Sequence, residues 1–301
     1  MAGVLLLAWA AGDGCSVRRY AISQLADVVS RSGTAFASDD DPDLVKAASP
    51  FSLKLLESML DEHPRHAGLL TAAARGFTQY AFAFVQQDAD ELELRDLAAC
   101  EAMRMRARRL YLRAQSYGLR GLEVKHPGFT NALAANPKTA VAATTKADVP
   151  LLYWTAAAWG AAISLAKDNP ALVAQIPAME ALMDRALELD EDYNGGAIHT
   201  FLITYEMSRQ GATGDASARA RKHFDRAVAL SAGKDAGPLV AFAEAVDIKK
   251  QDAKEFESLL NRALAVDADA RPDIRVQNLI LQRRARWLLS QESELFLLNH
   301  E

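Results

Sequence analysis

The chain has 301 residues, half of them apolar, and a formal net charge of −5. That apolar share supplies one large core or two ordinary domains, and the mild acidity excludes the basic footprint of a nucleic-acid-binding protein. Alanine is abundant while glycine, proline and β-branched runs are sparse, which predicts an all-α protein.

The chain opens with the apolar run Met1–Ala11, MAGVLLLAWAA. It is similar to the core of a secretory signal, without the usual basic residues ahead of it. The run is followed by small residues and then Cys15-Ser16, the order of a bacterial lipoprotein signal in which Cys15 is acylated. The alternative is an N-terminal helix with an ordinary thiol. The lipoprotein reading divides the chain into a signal, 1–15, and one all-α domain, 16–301. Cys100, beside Ala98 and Ala99, packs as a small hydrophobe. Two cysteines in such different settings predict no disulfide framework.

Ser16–Ser32 reads as a first helix striped by Ile22, Leu25, Ala26 and Val29. Asp39, Asp40, Asp41 and Asp43 lack the alternate ligand spacing and central glycine of a calcium loop. They read instead as a helix start: Asp41 caps, Pro42 is the first helical residue and Asp43 faces the positive end of the dipole. The helix runs from Pro42 to Glu62, and His63-Pro64 breaks it. Gly68–Val85 follows with Arg75 as its one charge, and Phe77, Tyr80, Phe82 and Phe84 are spaced to reach more than one face.

A long helix is predicted from about Asp90 to Tyr117. Acids lead it (Asp90, Glu91, Glu93, Asp96) and arginines end it (Arg104, Arg106, Arg108, Arg109, Arg113), the order the helix dipole prefers. A solvated face explains this cluster more simply than a phosphate or carboxylate site. The stretch 120–148 reads as an irregular insert, with short helices over Thr130–Ala135 and Lys138–Ala142.

Leu151–Ala166, LLYWTAAAWGAAISLA, is uncharged. It falls short of the roughly 20 residues a bilayer span needs, so it reads as a buried helix. Asn169-Pro170 caps the next turn, and the helix that follows Pro177 carries Met179, Leu182, Met183, Ala186 and Leu187 on one face. Ala197–Arg209 is helical and contains His199, which fits a core or cleft residue better than a lone metal ligand. Ala218–Leu230, Pro238–Lys250 and Asp252–Val266 follow. Asp273–Leu289 is predicted to cap the array, with Arg283, Arg284 and Arg286 on its polar side.

The amphipathic helices repeat. Asp184-Arg185-Ala186-Leu187, Asp225-Arg226-Ala227-Val228 and Asn261-Arg262-Ala263-Leu264 align, their arginines 41 and 36 residues apart. A weaker copy centres on Arg113 and another on Ser58. Helix pairs at this period predict a degenerate tetratricopeptide-like solenoid with insertions and a C-terminal capping helix.

Several blocks then stand in a familiar order: Cys15-Ser16 with Arg19-Tyr20-Ala21, FASDDDPDLV (Phe36–Val45), GFTQYAFAFV (Gly76–Val85), RARRLYLRA (Arg106–Ala114), LLYWTAAAWGAAISLAKDNP (Leu151–Pro170) and EALMDRALELDEDYNGGAIHTF (Glu180–Phe201). Together they resemble the T component of TRAP transporters, the TatT family. The resemblance implies a periplasmic lipoprotein of a Gram-negative-type envelope, touching the membrane through its lipid anchor. It also implies a homotrimer that docks a solute-binding P component and passes a hydrophobic or organic-acid ligand through an internal pore. On physical grounds the uncharged helices supply the candidate lining: Phe77, Tyr80, Phe84, Tyr153, Trp154, Trp159, His199 and Tyr205. Each could equally fill the interior between helices. No nucleophile elbow, metal-ligand motif or phosphate-cradling loop is present, so no enzyme, metal or cofactor is predicted. The competing expectation is a general tetratricopeptide interaction scaffold of the cell envelope.

Overall fold

Local capping chemistry sets seven of the fifteen described helix starts. The computed structural model describes residues 33–297, and its regular elements are all helical. Cys15 and the helix expected over Ser16–Ser32 lie outside these residues. After a short α1 (Gly33–Ala37), α2 spans Pro42–Glu62 as predicted. The Asp41 carboxylate accepts from the amides of Asp43 and Leu44, both at 3.0 Å. α3 begins at Ala67, where His66 Nδ1 accepts from the Leu69 amide. It runs to Ala81, widens into a π turn over Phe82–Gln86 and ends with Gln87–Asp90. The aromatic residues do separate onto different faces: Phe77 and Phe84 are buried and Phe82 is exposed.

The next helix departs from expectation at both ends. α4 spans Leu97–Lys125, so Asp90, Glu91 and Glu93 lie before it. Asp96 is the cap, accepting from the Ala99 amide at 3.0 Å. The earlier acids are drawn elsewhere: Arg104 reaches back to Asp90 and Glu93, each at 2.9 Å. The helix also continues into the 120–148 stretch, and its Gly118 and Gly121 serve close packing. A Cβ on Gly118 would lie 2.0 Å from Thr155 Oγ1, and one on Gly121 would lie 2.5 Å from Leu151 Cδ2.

The insert is short helices α5 (Phe129–Ala135) and α6 (Pro137–Val141). Phe129, Leu133 and Val141 are buried in the main core. Buried Asp148 ties the insert's two ends together. It accepts from Lys125 Nζ at 2.6 Å and the Thr145 amide at 2.9 Å, and meets His126 Nε2 at 3.1 Å. Burial opposes its charge, but these partners outweigh burial and hold its pKa at about 2.

α7 (Val149–Ser164) is the uncharged helix, buried along most of its length. Asn169 caps α8 (Pro170–Val173), and Pro177 sits in the first turn of α9 (Ile176–Leu189). α10 (Ala197–Glu206) and α11 (Ala216–Leu230) follow. α12 (Gly237–Phe242) runs into a second π turn over Ala243–Asp247, then Ile248–Lys250. α13 (Ala253–Leu264), α14 (Arg275–Ser290) and α15 (Glu292–Leu295) complete the chain.

The packing order closes on itself. α2 packs on α3, α3 on α4, α4 on α7 and α7 on α9; α9 meets α10, which packs on α11 and α12; α13 joins α12 to α14. α14 then touches α1 and α2. One core gathers around α7 and α9 and takes Ile198 and Leu202 from α10. A second takes Ile203 from α10 and extends through α14. Among the described residues no helix is long and apolar enough to cross a membrane.

The α4–α7 approach generates a test. Gly118→Ala is expected to destabilise the chain by about 1–3 kcal/mol, the usual cost of overpacking, read from urea unfolding midpoints. An unchanged midpoint would mean that the two helices do not approach this closely.

Candidate functional site

The eight candidate side chains fall into separate groups. Phe77 stacks on Tyr117, with centroids 5.8 Å apart, beneath the Arg113 guanidinium. Tyr80 lies 6.0 Å from Phe84, and its hydroxyl accepts from Arg106 at 3.1 Å. Tyr153 meets Trp154 edge-on at 4.9 Å and Tyr193 at 5.3 Å. Trp159 is buried and donates its indole N–H to Gln175 at 2.8 Å. Tyr205 stacks on Phe201 and donates to Glu180 at 2.8 Å.

His199 has a partner that sequence reasoning missed. Its Nδ1 lies 2.9 Å from Nδ1 of His223, so one ring donates and the other accepts. Burial lowers both pKa values, and His199 lowers that of His223 further. Among the described residues no group of three or more His, Cys, Asp or Glu is arranged to hold a metal ion.

Of the eight, Phe84 lines a cleft of ≈ 420 Å³ between α2, the first π turn and α14. Pro42, Ala83, Leu279 and Ile280 form its apolar wall, Asp40 and Asp43 lie on one rim, and Arg283 and Arg286 on the other. Beside it runs the seam where the two ends of the packing order meet. Arg283 bonds Glu91 at 3.0 Å and Asp88 at 3.4 Å. Arg284, expected on a polar face, is 6% exposed. It bonds Asp90 at 3.1 Å and Glu244, and its guanidinium lies 4.3 Å from the Trp287 ring centroid. The reason is charge balance: a buried guanidinium needs carboxylates, and the end of α3 and the second π turn bring one each. Burial holds the Asp90 carboxyl above its ordinary value, against the pull of Arg284 and Arg104.

The two π turns end alike, in Val85-Gln86 and Val246-Asp247. Gln86 accepts from the Tyr111 hydroxyl at 2.7 Å. In the repeat alignment the position of Tyr111 is taken by Leu260, which offers no hydroxyl. Asp247 is fully buried and neither carboxylate oxygen has a hydrogen-bond partner. Burial pushes its pKa up to about 7, with Glu255 and Asp252 adding to the effect.

Fold and site together define an all-helical protein whose described helices pack in an order that closes, α14 returning to α1 and α2. Comparison with known proteins gives its class a family. The chain belongs to the TRAP transporter T-component family (TAtT), whose sequence model matches residues 38–296. A curated protein of Treponema pallidum (strain Nichols), described as uncharacterized, is 30% identical over 302 aligned residues, 94% of each chain. The family is one of transporter-associated components.

Asp247 generates a pH prediction. Its raised pKa means that the folded chain holds the proton more tightly than the unfolded chain does. The contribution of Asp247 to stability therefore falls as pH rises from about 4 to about 7. Asp247→Asn is expected to remove that fall. It should match wild type near pH 4 and exceed it at pH 8 by up to about 4 kcal/mol, by urea unfolding. A gap that stays constant with pH would show that Asp247 is charged throughout in the folded chain.

Proposed function

We propose that this chain is a non-catalytic, periplasmic lipoprotein that docks a solute-binding protein of a TRAP transporter. It assembles as a homotrimer and hands on a hydrophobic or organic-acid ligand through an apolar interior. The observation that carries the proposal is the family match, which spans nearly all the described residues. Three structural features support it. The repeated D/N-R-A motifs fall on α9, α11 and α13, the later members of successive helix pairs, which favours a tetratricopeptide-like reading. Leu44, Phe51 and Leu55 are exposed at seven- and four-residue spacing on α2, an apolar stripe suited to assembly. The uncharged α7 with its Tyr153, Trp154 and Tyr193 cluster supplies the kind of wall an apolar ligand wants.

The partner is tested by a pull-down. With soluble Ser16–Glu301 as bait against periplasmic extract, the proposal expects one extracellular solute-binding protein to dominate the capture. Capture of unrelated envelope proteins, with no solute-binding protein among them, would favour a general interaction scaffold. The anchor is tested by Cys15→Ser, which should move the chain from the membrane fraction to the soluble one; retention in the membrane fraction would contradict acylation at Cys15.

A further inference from the structure

α14 is held on its two sides by different physics. Towards α12 and α13 it is bonded by apolar burial and neutral hydrogen bonds. Leu281, Ala285 and Leu288 lie in the second core. Gln282 donates to the Val266 carbonyl at 2.7 Å, and Asn278 both accepts from the Ala236 amide at 2.9 Å and donates to the Lys234 carbonyl at 3.0 Å. Towards α1, α2 and the end of α3 the apolar contact is small. Val45, Phe84 and Ile280 form its buried part, and the ≈ 420 Å³ cleft leaves the joint incompletely packed. Charge supplies the remainder: Arg275 to Asp40 at 3.6 Å, Arg283 to Asp88 and Glu91, and Arg284 to Asp90.

The pairing has a further property. Four of the seven charges in this seam have a second partner on their own side. Arg275 also bonds Asp269 at 2.6 Å, and Arg284 also bonds Glu244 on α12. Across the seam, Asp88 is held by Lys46 at 2.5 Å and Asp90 by Arg104 at 2.9 Å. Among the described residues Arg283, Asp40 and Glu91 form no second ion pair of this kind; Arg283 and Asp40 are exposed to water and Glu91 is half-buried. Breaking a buried ion pair is costly because it strands a charge. Here separation leaves Arg284, Asp88 and Asp90 each paired with a home partner. The exposed pairs contribute little individually and are screened by salt.

We propose that this seam is a reversible clasp: α14 stays fixed to α12 and α13 while it releases α1, α2 and the Asp88–Glu91 end of α3, so the closed array opens at one defined joint. The clasp is a lateral gate whose strength is set by ionic strength. Opening moves rigid helices apart and melts none of them, so distance is the quantity to measure.

The test uses the full chain with Cys15→Ser and Cys100→Ala and spin labels on introduced cysteines. Ser58→Cys on α2 with Ser290→Cys on α14 spans the seam. Glu257→Cys on α13 with Ser290→Cys is the control. Between 0.05 and 0.5 M NaCl, the pulsed-dipolar distance distribution of the seam pair is expected to gain a longer component. Its population should rise by about tenfold, as expected from screening a few exposed ion pairs, while the control pair keeps its distance. Arg283→Glu should produce the same component at low salt, and adding Glu91→Arg should suppress it. A single short seam distance under all these conditions would overturn the proposal. So would lengthening of both pairs together, which means general loosening, or failure of the charge swap to restore the short distance. The salt series on the otherwise unaltered chain decides the matter even if Arg283→Glu does not fold.

Discussion

A buried guanidinium cannot stand without carboxylates, and at Arg284 those carboxylates are supplied from two distant parts of the chain. Asp90 comes from the end of α3, Glu244 from the π turn of α12, and Arg284 itself from the last long helix. Much of the architecture serves this meeting. The turn between α3 and α4 places Asp90 between Arg104 and Arg284. The second π turn brings Glu244 up to the guanidinium from the other side. Trp287 covers the guanidinium with a ring face, which favours a cation there.

The other joints between helix pairs use a related device on a smaller scale. Side chains of a later helix bind carbonyls left free at a turn between earlier ones. Arg120 donates to the Pro64 carbonyl, Arg185 to that of Thr144, and Asn278 to that of Lys234. Helix ends expose unpaired carbonyls wherever the chain turns, so a long polar side chain at a fixed place on the following pair satisfies them and sets the angle of stacking. Arg185 is one of the repeated arginines, and in it the motif and this role coincide. Arg226 instead bonds Glu191, so the repeated residue has been put to different uses along the chain.

What the sequence revealed was governed by neighbours in the chain. Asp41-Pro42 and Asn169-Pro170 mark helix starts because a short polar side chain and a proline act within one turn, and both starts lie where they were expected. α7 was legible because an uncharged helix too short for a bilayer has only an interior to occupy. Misreadings arose where distant residues decide. Asp90 looked like the start of a helix because Arg284, 194 residues away, does not show in its local context. Arg284 looked like a surface residue for the same reason. The 120–148 stretch looked irregular, yet α4 runs on into it to Lys125, and Gly121 there leaves room for Leu151 to press close. The π turns leave no periodic signature, so the burial of Asp247 and the contact of Tyr80 with Phe84 were not readable. Of the candidate aromatics, Trp159 and Phe77 were visible as buried types, but their division among separate groups depends on how whole helices stack.

The seam also bears on how the chain reaches its shape. Helices that pack mainly on neighbours in sequence have short loops to close and form quickly. The Asp90–Arg284 contact is of the opposite kind, and its loop-closure entropy is offset only after the intervening helices have shortened the distance between its ends. Closure therefore follows the packing of the helices between Asp90 and Arg284. Until then the acids at the end of α3 and the arginines of α14 are exposed on an otherwise finished helical array. A nascent chain released before α14 is made would keep the first core covered but leave the apolar faces of α12 and α13 that α14 buries exposed.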